Sequence, residues 1–374
     1  MMSLHSFETR YLITKGFRKE NIHNPFIEGM IEKNSFPLTK SDYISADEEM
    51  ACTSMGAAFF IVPFVNAMTR SGTAAEKELL FESMLESAAY MKILSNKRGH
   101  KQGEMSPLLA QALRTVTNVK NRQTRAEDAG MSLLESKIKE NNLLNHKILL
   151  FLLNPNEIEP NIRGLVANKM MAKYQRPCLV LSKTPNNTYE GSGRGYTKTG
   201  IDSFKNILEK CDIPILYVQG HDNAFGFGIE EELIPSFIEQ TDMLLKDVST
   251  EPLYRIDYDL KETDQCQQII LDIAELNDLW GQDVERSFVN MNFKITTTNF
   301  ELMKSNTLKF TLPNGVSLIK FNGSEDEIET FSLSSGYIEV NAICKCNANK
   351  WNGNVYPQLM IEDYEIVNVA KYIF

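Results

Sequence analysis

Residues 189–204, YEGSGRGYTKTGIDSF, set Gly191, Gly193 and Gly195 around Ser192 and Arg194. Glycines can turn backbone N–H groups toward an anion, and an arginine can grip a phosphate through two parallel hydrogen bonds. A phosphate cradle and a tight turn ahead of a helix both fit this stretch. A Walker loop needs Gly-Lys-Ser/Thr opening a helix, and a dinucleotide loop needs its glycines directly between strand and helix. Neither spacing is met. Further on, VQGHDNAFGFGIEEE places Gly220 and His221 at the end of an expected strand, with Gly226 and Gly228 after them. Side chains at strand carboxyl ends face the crevice where α/β proteins bind ligands. A lone histidine is more often a packed or solvated residue.

A third stretch is electrostatic. Lys92, Lys97, Arg98, Lys101, Arg114, Lys120, Arg122 and Arg125 stand against one acid, Glu104. Nucleic acids are held chiefly through their phosphates, although a solvated helix face has the same composition. The chain as a whole carries a net charge of -10, which argues against a nucleic-acid coat but leaves room for a local basic groove. Six scattered cysteines form no CxxC pair and have no histidine beside them; they read as reduced packing thiols. No serine elbow, HExxH or tight carboxylate cluster is present, so no self-contained hydrolase site is visible.

The elements that must position these residues fall into three expected parts. Residues 1–147 read as helical. AAEKELLFESMLESAAYMKIL has helical spacing, with Thr73 as its cap and Glu76 three residues on. A long helix follows, with a break expected near Gly130. Residues 148–250 alternate strand and helix and predict a small α/β domain. Residues 251–374 run through short β segments with turn signals, predicting an antiparallel, barrel-like β domain. The longest apolar run, residues 55–68, is too short to span a membrane and is cut by Pro63 and Asn66. No targeting segment is evident, so a cytoplasmic protein without a membrane partner is expected.

Taken in order, these stretches resemble the RecJ-type DHH phosphoesterases, single-strand-specific 5′ to 3′ DNA exonucleases. FFIVPFVNAMTRSGTAAEK resembles that family's P-R-x-N-A-x-G-R segment through Pro63, Asn66, Ala67 and Arg70. NVKNRQTRAED resembles the Asn-x-x-Arg opening of its linking helix through Asn121 and Arg122. RGLVANKMMAKYQRPCLVLS resembles the opening of its DHHA1 domain, with Gly164, Ala167, Tyr174, Arg176 and Pro177 in place. GSGRG is similar to its Gly-Ser-x-Arg loop, and GHDNAFGFG to its Gly-Gly-His-x-x-Ala-x-Gly loop. NKWNGNVYPQLMIEDYEI resembles the strand-loop-strand of its OB-type domain. Phe64 stands where the family has arginine, and Gln219 where it has the first glycine of Gly-Gly-His.

The resemblance implies two manganese or magnesium ions on aspartates and histidines of a DHH domain. These 374 residues contain no Asp-His-His motif, and residues 8–17 resemble the segment just after the DHH core. The expectation is a RecJ-like chain that begins about one domain late and holds no metal by itself. It would bind single-stranded DNA through Asn66, Arg70, Arg122, Gly191, Ser192, Gly193, Arg194, Gly220 and His221. Trp351, Tyr356 and Phe331 are stacking candidates in the OB-like domain, Trp351 first because of its polar Asn/Gly setting. Three functions follow: half of a split exonuclease completed by a separately encoded DHH polypeptide, a non-catalytic single-strand binder, or part of a small-nucleotide phosphodiesterase. The OB-like domain favours the polymer as substrate.

Overall fold

The computed structural model describes residues 3–34, 50–97, 99, 101–249, 251–262, 265–281, 283–332 and 335–370, without the side chains of Met55, Asp278 and Trp351. The chain packs as two units where the sequence suggests three parts. One unit contains residues 24–30 and 58–253, and the other residues 1–23, 31–57 and 254–374. Of the helical region, residues 24–30 and 58–147 thus join the α/β sheet in one unit, while residues 1–23 and 31–57 group with residues 254–374.

In that unit, helix α1 (Val62–Ser71) leads into α2 (Ala74–Ser83). The Thr73 side chain accepts from the Glu76 N–H, and the Glu76 carboxylate accepts from the Thr73 N–H at 2.8 Å, the expected capping box. A short hairpin, β1 (Lys92–Leu94) with β2 (Met105–Pro107), precedes the long helix α3 (Leu108–Asn141). The break expected at Gly130 does not occur. Gly130 is buried where the next helix, α4 (Pro160–Tyr174), comes close: a Cβ there would lie 3.1 Å from Val166 Cγ2. The glycine therefore serves helix packing. Buried Glu127 of α3 reinforces the contact by pairing with Lys169 of α4 at 2.7 Å.

The sheet of this unit is formed by β3 (Leu149–Leu153), β4 (Cys178–Lys183), β5 (Thr188–Arg194), β6 (Tyr217–His221) and β7 (Ala224–Glu230), in the order β3-β4-β5-β7-β6. Only β3 and β4 run parallel, joined by α4; the other pairs are antiparallel. One face packs with Leu134, Ile138, Ile162, Val166 and Met170 of α3 and α4. The other packs against Phe204 and Phe237 from helices α5 (Phe204–Leu208) and α6 (Ile234–Leu244).

The second unit holds a seven-stranded sheet of β8 (Tyr258–Leu260), β9 (Val289–Thr296), β10 (Phe300–Met303), β11 (Thr307–Thr311), β12 (Ser317–Lys320), β13 (Tyr337–Trp351) and β14 (Asn354–Ala370). The order is β10-β11-β12-β14-β13-β9-β8, antiparallel apart from β12–β14 and β8–β9. Asn352 and Gly353, both at positive φ, close the β13–β14 ribbon in a two-residue turn, so the expected loop is a tight hairpin end. Alternate residues of β9 point inward to the core, Val289, Met291, Phe293 and Ile295. All six cysteines are buried free thiols. Among the described residues, no helix is long and apolar enough to cross a membrane.

Candidate nucleic-acid interface

Both glycine-rich stretches are strands, a correction to their reading as loops. Gly191 and Gly193 lie in β5, hydrogen-bonded on both sides by β4 and β7, and the Gly195 N–H donates to Asn223 O. Their amides are committed to the sheet and cannot cradle a phosphate. The missing side chains serve packing instead. A Cβ on Gly193 would run into the Phe225 ring, and one on Gly191 into Val180 O.

The polar residues of β5 point to the other face. Ser192 and Arg194 alternate with the glycines and lie toward α4. Gly164 in α4 makes room: a Cβ there would be 2.5 Å from Arg194 Nη2 and 3.6 Å from Ser192 Oγ. The Arg194 guanidinium donates to Gly193 O at 2.6 Å. Burial first, and then the like charge of Arg70, lower the basicity of Arg194, which stays charged. Arg70 projects from the last turn of α1, on the same side as Asn66 four residues earlier, and both are exposed. Asn161, which the sequence reading passes over, fixes this end of α1 by donating from its amide to Arg70 O at 2.9 Å. Among the described residues, no carboxylate pairs with Arg70 or Arg194. Two neighbouring guanidiniums, one half-buried and neither neutralised, form a site for an anion with paired oxygens.

Strand register extends the site. Arg194 pairs with Ala224, and Ala224 with His221; Ser192 pairs with Gly226, and Gly226 with Gln219. Directly paired residues share a face, so His221 lies about 10 Å from Arg194, with only the Ala224 methyl between the two strands. The β6–β7 turn is braced: Asn223 accepts from Phe204 N–H at 3.0 Å and donates to Asp202 O at 2.7 Å. Gly220 has φ 139°, a conformation that L side chains rarely adopt, and a Cβ would lie 2.7 Å from Ala224 O. At the far end, the Tyr217 ring covers Gly228 and its hydroxyl donates to Glu190 at 3.2 Å. Burial and that carboxylate push the phenol up to about 12. The result is a shallow trough floored by Ala224 and Gly226, with Arg194 on one side and His221 at its mouth.

Other expected site residues are placed elsewhere. Arg122 is held by Glu76 at 2.9 Å and Ser71 O at 3.1 Å, so it braces the start of α2. Lys120 pairs with Glu127, and Arg114 donates to Asn96 at 2.8 Å. Lys92, Lys97 and Lys101 are exposed on and around the β1–β2 hairpin, and Arg98 lies outside the described residues. The basic stretch is thus divided between a lysine-bearing hairpin and a braced helix. Phe331 is a core residue, 5.3 Å from the Phe310 ring and buried. Tyr356 is exposed. Trp351 ends β13, and its side chain lies outside the described residues.

Charge is distributed unevenly. Residues 254–374 carry 10 Lys and Arg against 18 Asp and Glu, net -8 of the chain's -10, while residues 58–253 balance at 23 against 23. Several cations of the C-terminal unit are also neutralised locally, among them Lys309 by Glu301, Lys320 by Glu327 and Lys345 by Glu362. Among the described residues, no group of three or more His, Cys, Asp or Glu could hold a metal ion, so the implied metals have no fitting donor set there.

Residues 256–363 match the RecJ OB domain family. Over 373 residues the chain is 28% identical to a putative SPbeta prophage-derived single-strand DNA-specific exonuclease, YorK, of Bacillus subtilis, and to its counterpart in Bacillus phage SPbeta. These matches cover 98% of this chain and 62% of either relative, so the chain spans less than two thirds of their length. The single-stranded-DNA-specific exonuclease RecJ of B. subtilis is 24% identical over 213 residues, 54% of this chain and 26% of that protein. In fold, the chain is similar to RecJ of Thermus thermophilus in complex with Mn2+, with a TM-score of 0.62 at 17% identity, covering 95% of this chain and 46% of that one. The Mg2+ complex of the same protein gives 0.53 at 18%, covering 83% and 43%. The chain is therefore similar to RecJ-type exonucleases in sequence and to RecJ in fold, and the match to the RecJ OB domain family falls within its C-terminal unit.

Proposed function

We propose that this chain is the substrate-holding portion of a RecJ-like 5′ to 3′ exonuclease acting on single-stranded DNA. Phosphodiester hydrolysis would take place at two metal ions on a DHH domain that lies outside these 374 residues. The observation that carries this reading is the Arg70–Arg194 pair, two unneutralised guanidiniums beside a trough of small residues. Such a pair holds a backbone phosphate, and the trough leaves room for the adjoining sugar beside His221. Two metals would activate a water and stabilise the charge on the phosphorus; this chain's contribution is to bind and orient the strand.

On this reading the phosphates run over residues 58–253. The acidic C-terminal unit contributes stacking and shape rather than counter-charge, since a net -8 surface repels phosphates. The test is reconstitution. Mixing the chain with a DHH-domain polypeptide, manganese and 5′-labelled single-stranded DNA should give digestion that neither part gives alone, and duplex DNA should resist. Strand binding with no gain in digestion would favour the non-catalytic binder instead. Loss of both sinks the reading.

A further inference from the structure

The β1–β2 hairpin has an apolar outer face that its own unit does not cover. Leu94 and Met105 are directly paired across the two strands, and both stand in solvent, 66% and 51% exposed. Lys92 pairs with Pro107 one step nearer the foot of the hairpin, on the same face and equally in solvent. The alternating residues point the other way. Ser106 is buried, and Ile93 lines a cleft with Leu79 and Glu82 of α2. The hairpin is secured from that inner side. Gln111 of α3 accepts from Ser106 Oγ at 3.1 Å and from Asn96 N–H at 3.2 Å, and Arg114 donates to Asn96 at 2.8 Å. At the foot, Leu108 N–H donates to Met91 O at 2.9 Å. A polar pair in place of Leu94 and Met105 would leave all these bonds intact, so the apolar pair answers to something outside the fold.

Cations frame that pair. Lys92 lies on its foot side, and Lys97 and Lys101 lie in the tip beyond it, all exposed. Glu104, the single acid between Tyr90 and Pro107, is turned back into the tip, where its carboxylate accepts from Lys101 N–H at 3.0 Å. Tyr90, 89% exposed, stands two residues before Lys92. The face therefore fits an occupant with spaced negative charges and flat apolar groups between them. A single strand has that chemistry, since its phosphates repeat along the backbone and every base offers a π-face. Leucine and methionine are among the side chains that pack against base faces in nucleic-acid complexes. An acidic peptide could match the charge, but the hairpin is continuous with the phosphate site. Gln111, beneath the hairpin, and Arg122 are about 16 Å apart along α3, and Arg122 donates to the carbonyl of Ser71, next to Arg70. We propose that the hairpin is a base platform for the strand held at Arg70 and Arg194. Bases of the flanking nucleotides lie on Leu94, Met105 and Tyr90, and the lysines take the phosphates to either side.

The platform rests on the single-strand reading, and a strand without bases separates the two. In anisotropy titrations of the full chain, Leu94→Ser with Met105→Ser should weaken binding of a mixed-sequence single strand by about fivefold or more. An abasic strand of the same length and charge should bind within about twofold of its native affinity, and the salt slope should stay as it is, because no phosphate contact is lost. Leu94→Met with Met105→Leu should bind as the native chain does, and melting temperatures should be unchanged in both variants. Near-ultraviolet cross-linking of strands carrying iododeoxyuridine, which needs no variant, should label the native chain within residues 90–105. No loss in the serine variant, an equal loss for both strands, or labels that all fall outside residues 90–105 overturns the platform. Arg194→Ala should weaken both strands alike, so failure of the phosphate site reads separately. If the native chain binds neither strand, both assignments fall.

Discussion

The Arg194 guanidinium passes so close to Gly164 that a methyl group at 164 would stand 2.5 Å from Nη2. A helix residue thereby sets where a strand arginine can reach. Gly164→Ala should uncouple binding from stability. Alanine favours the interior of α4 by about 1 kcal/mol over glycine, so thermal stability should hold or rise as the arginine is displaced. Single-strand affinity should fall nearly as far as in Arg194→Ala, read by fluorescence anisotropy beside a melting curve. Unchanged affinity would mean that Arg194 does not work from this position.

Gly193 tests the opposite role. It faces Phe225 and Leu179 in the core, so Gly193→Ala should cost about 1–3 kcal/mol through overpacking. The folded fraction should bind DNA as the native chain does. A phosphate-cradling glycine would show the reverse, with stability kept and binding lost.

Much of this is legible in the sequence, and what is not has physical reasons. The Thr73–Glu76 cap follows from local chemistry, and the α/β and β-rich regions from periodicity. The β5 and β7 strands escape because glycine is depleted in strands. Here Phe225 and Tyr217 fill the space that side chains would take, which no local pattern reveals. Arg194 stands out in the sequence as a candidate, but its setting does not: its neighbours, Gly164 and Arg70, come from distant parts of the chain. Arg122 reads as a phosphate contact because a basic run does not show which of its members already have a carboxylate.

Arg122 should accordingly behave as a brace. Burial alone would raise the Glu76 carboxyl, but hydrogen bonds from Arg122 and the Thr73 backbone outweigh it and hold the group below its usual range. The stability this contributes is present above the unfolded-state value, about 4.3 for a glutamate, and is lost as pH falls through the lower folded value. Arg122→Ala should lower stability by roughly 0.5 kcal/mol at neutral pH, as exposed pairs do. The difference from the native chain should shrink in melts taken below about pH 4. A large loss of DNA binding with unchanged melting would contradict the bracing role.

The charge asymmetry predicts where salt acts. Lys92→Glu with Lys97→Glu should weaken binding of a thymidine oligonucleotide and flatten its salt dependence. Lys294→Glu with Lys304→Glu, in the acidic unit, should change either by less than about twofold. The reverse pattern would move the phosphate track onto the OB domain.

The most direct test is the salt dependence of single-strand binding in the full chain. For single strands the slope of log affinity against log salt changes by about 0.7 for each phosphate contact. Arg70→Ala and Arg194→Ala should each flatten it by about that amount, and the double variant by about 1.4, with melting temperatures held or raised as the like charges are separated. Slopes identical to the native chain in all three variants would contradict a phosphate held between Arg70 and Arg194.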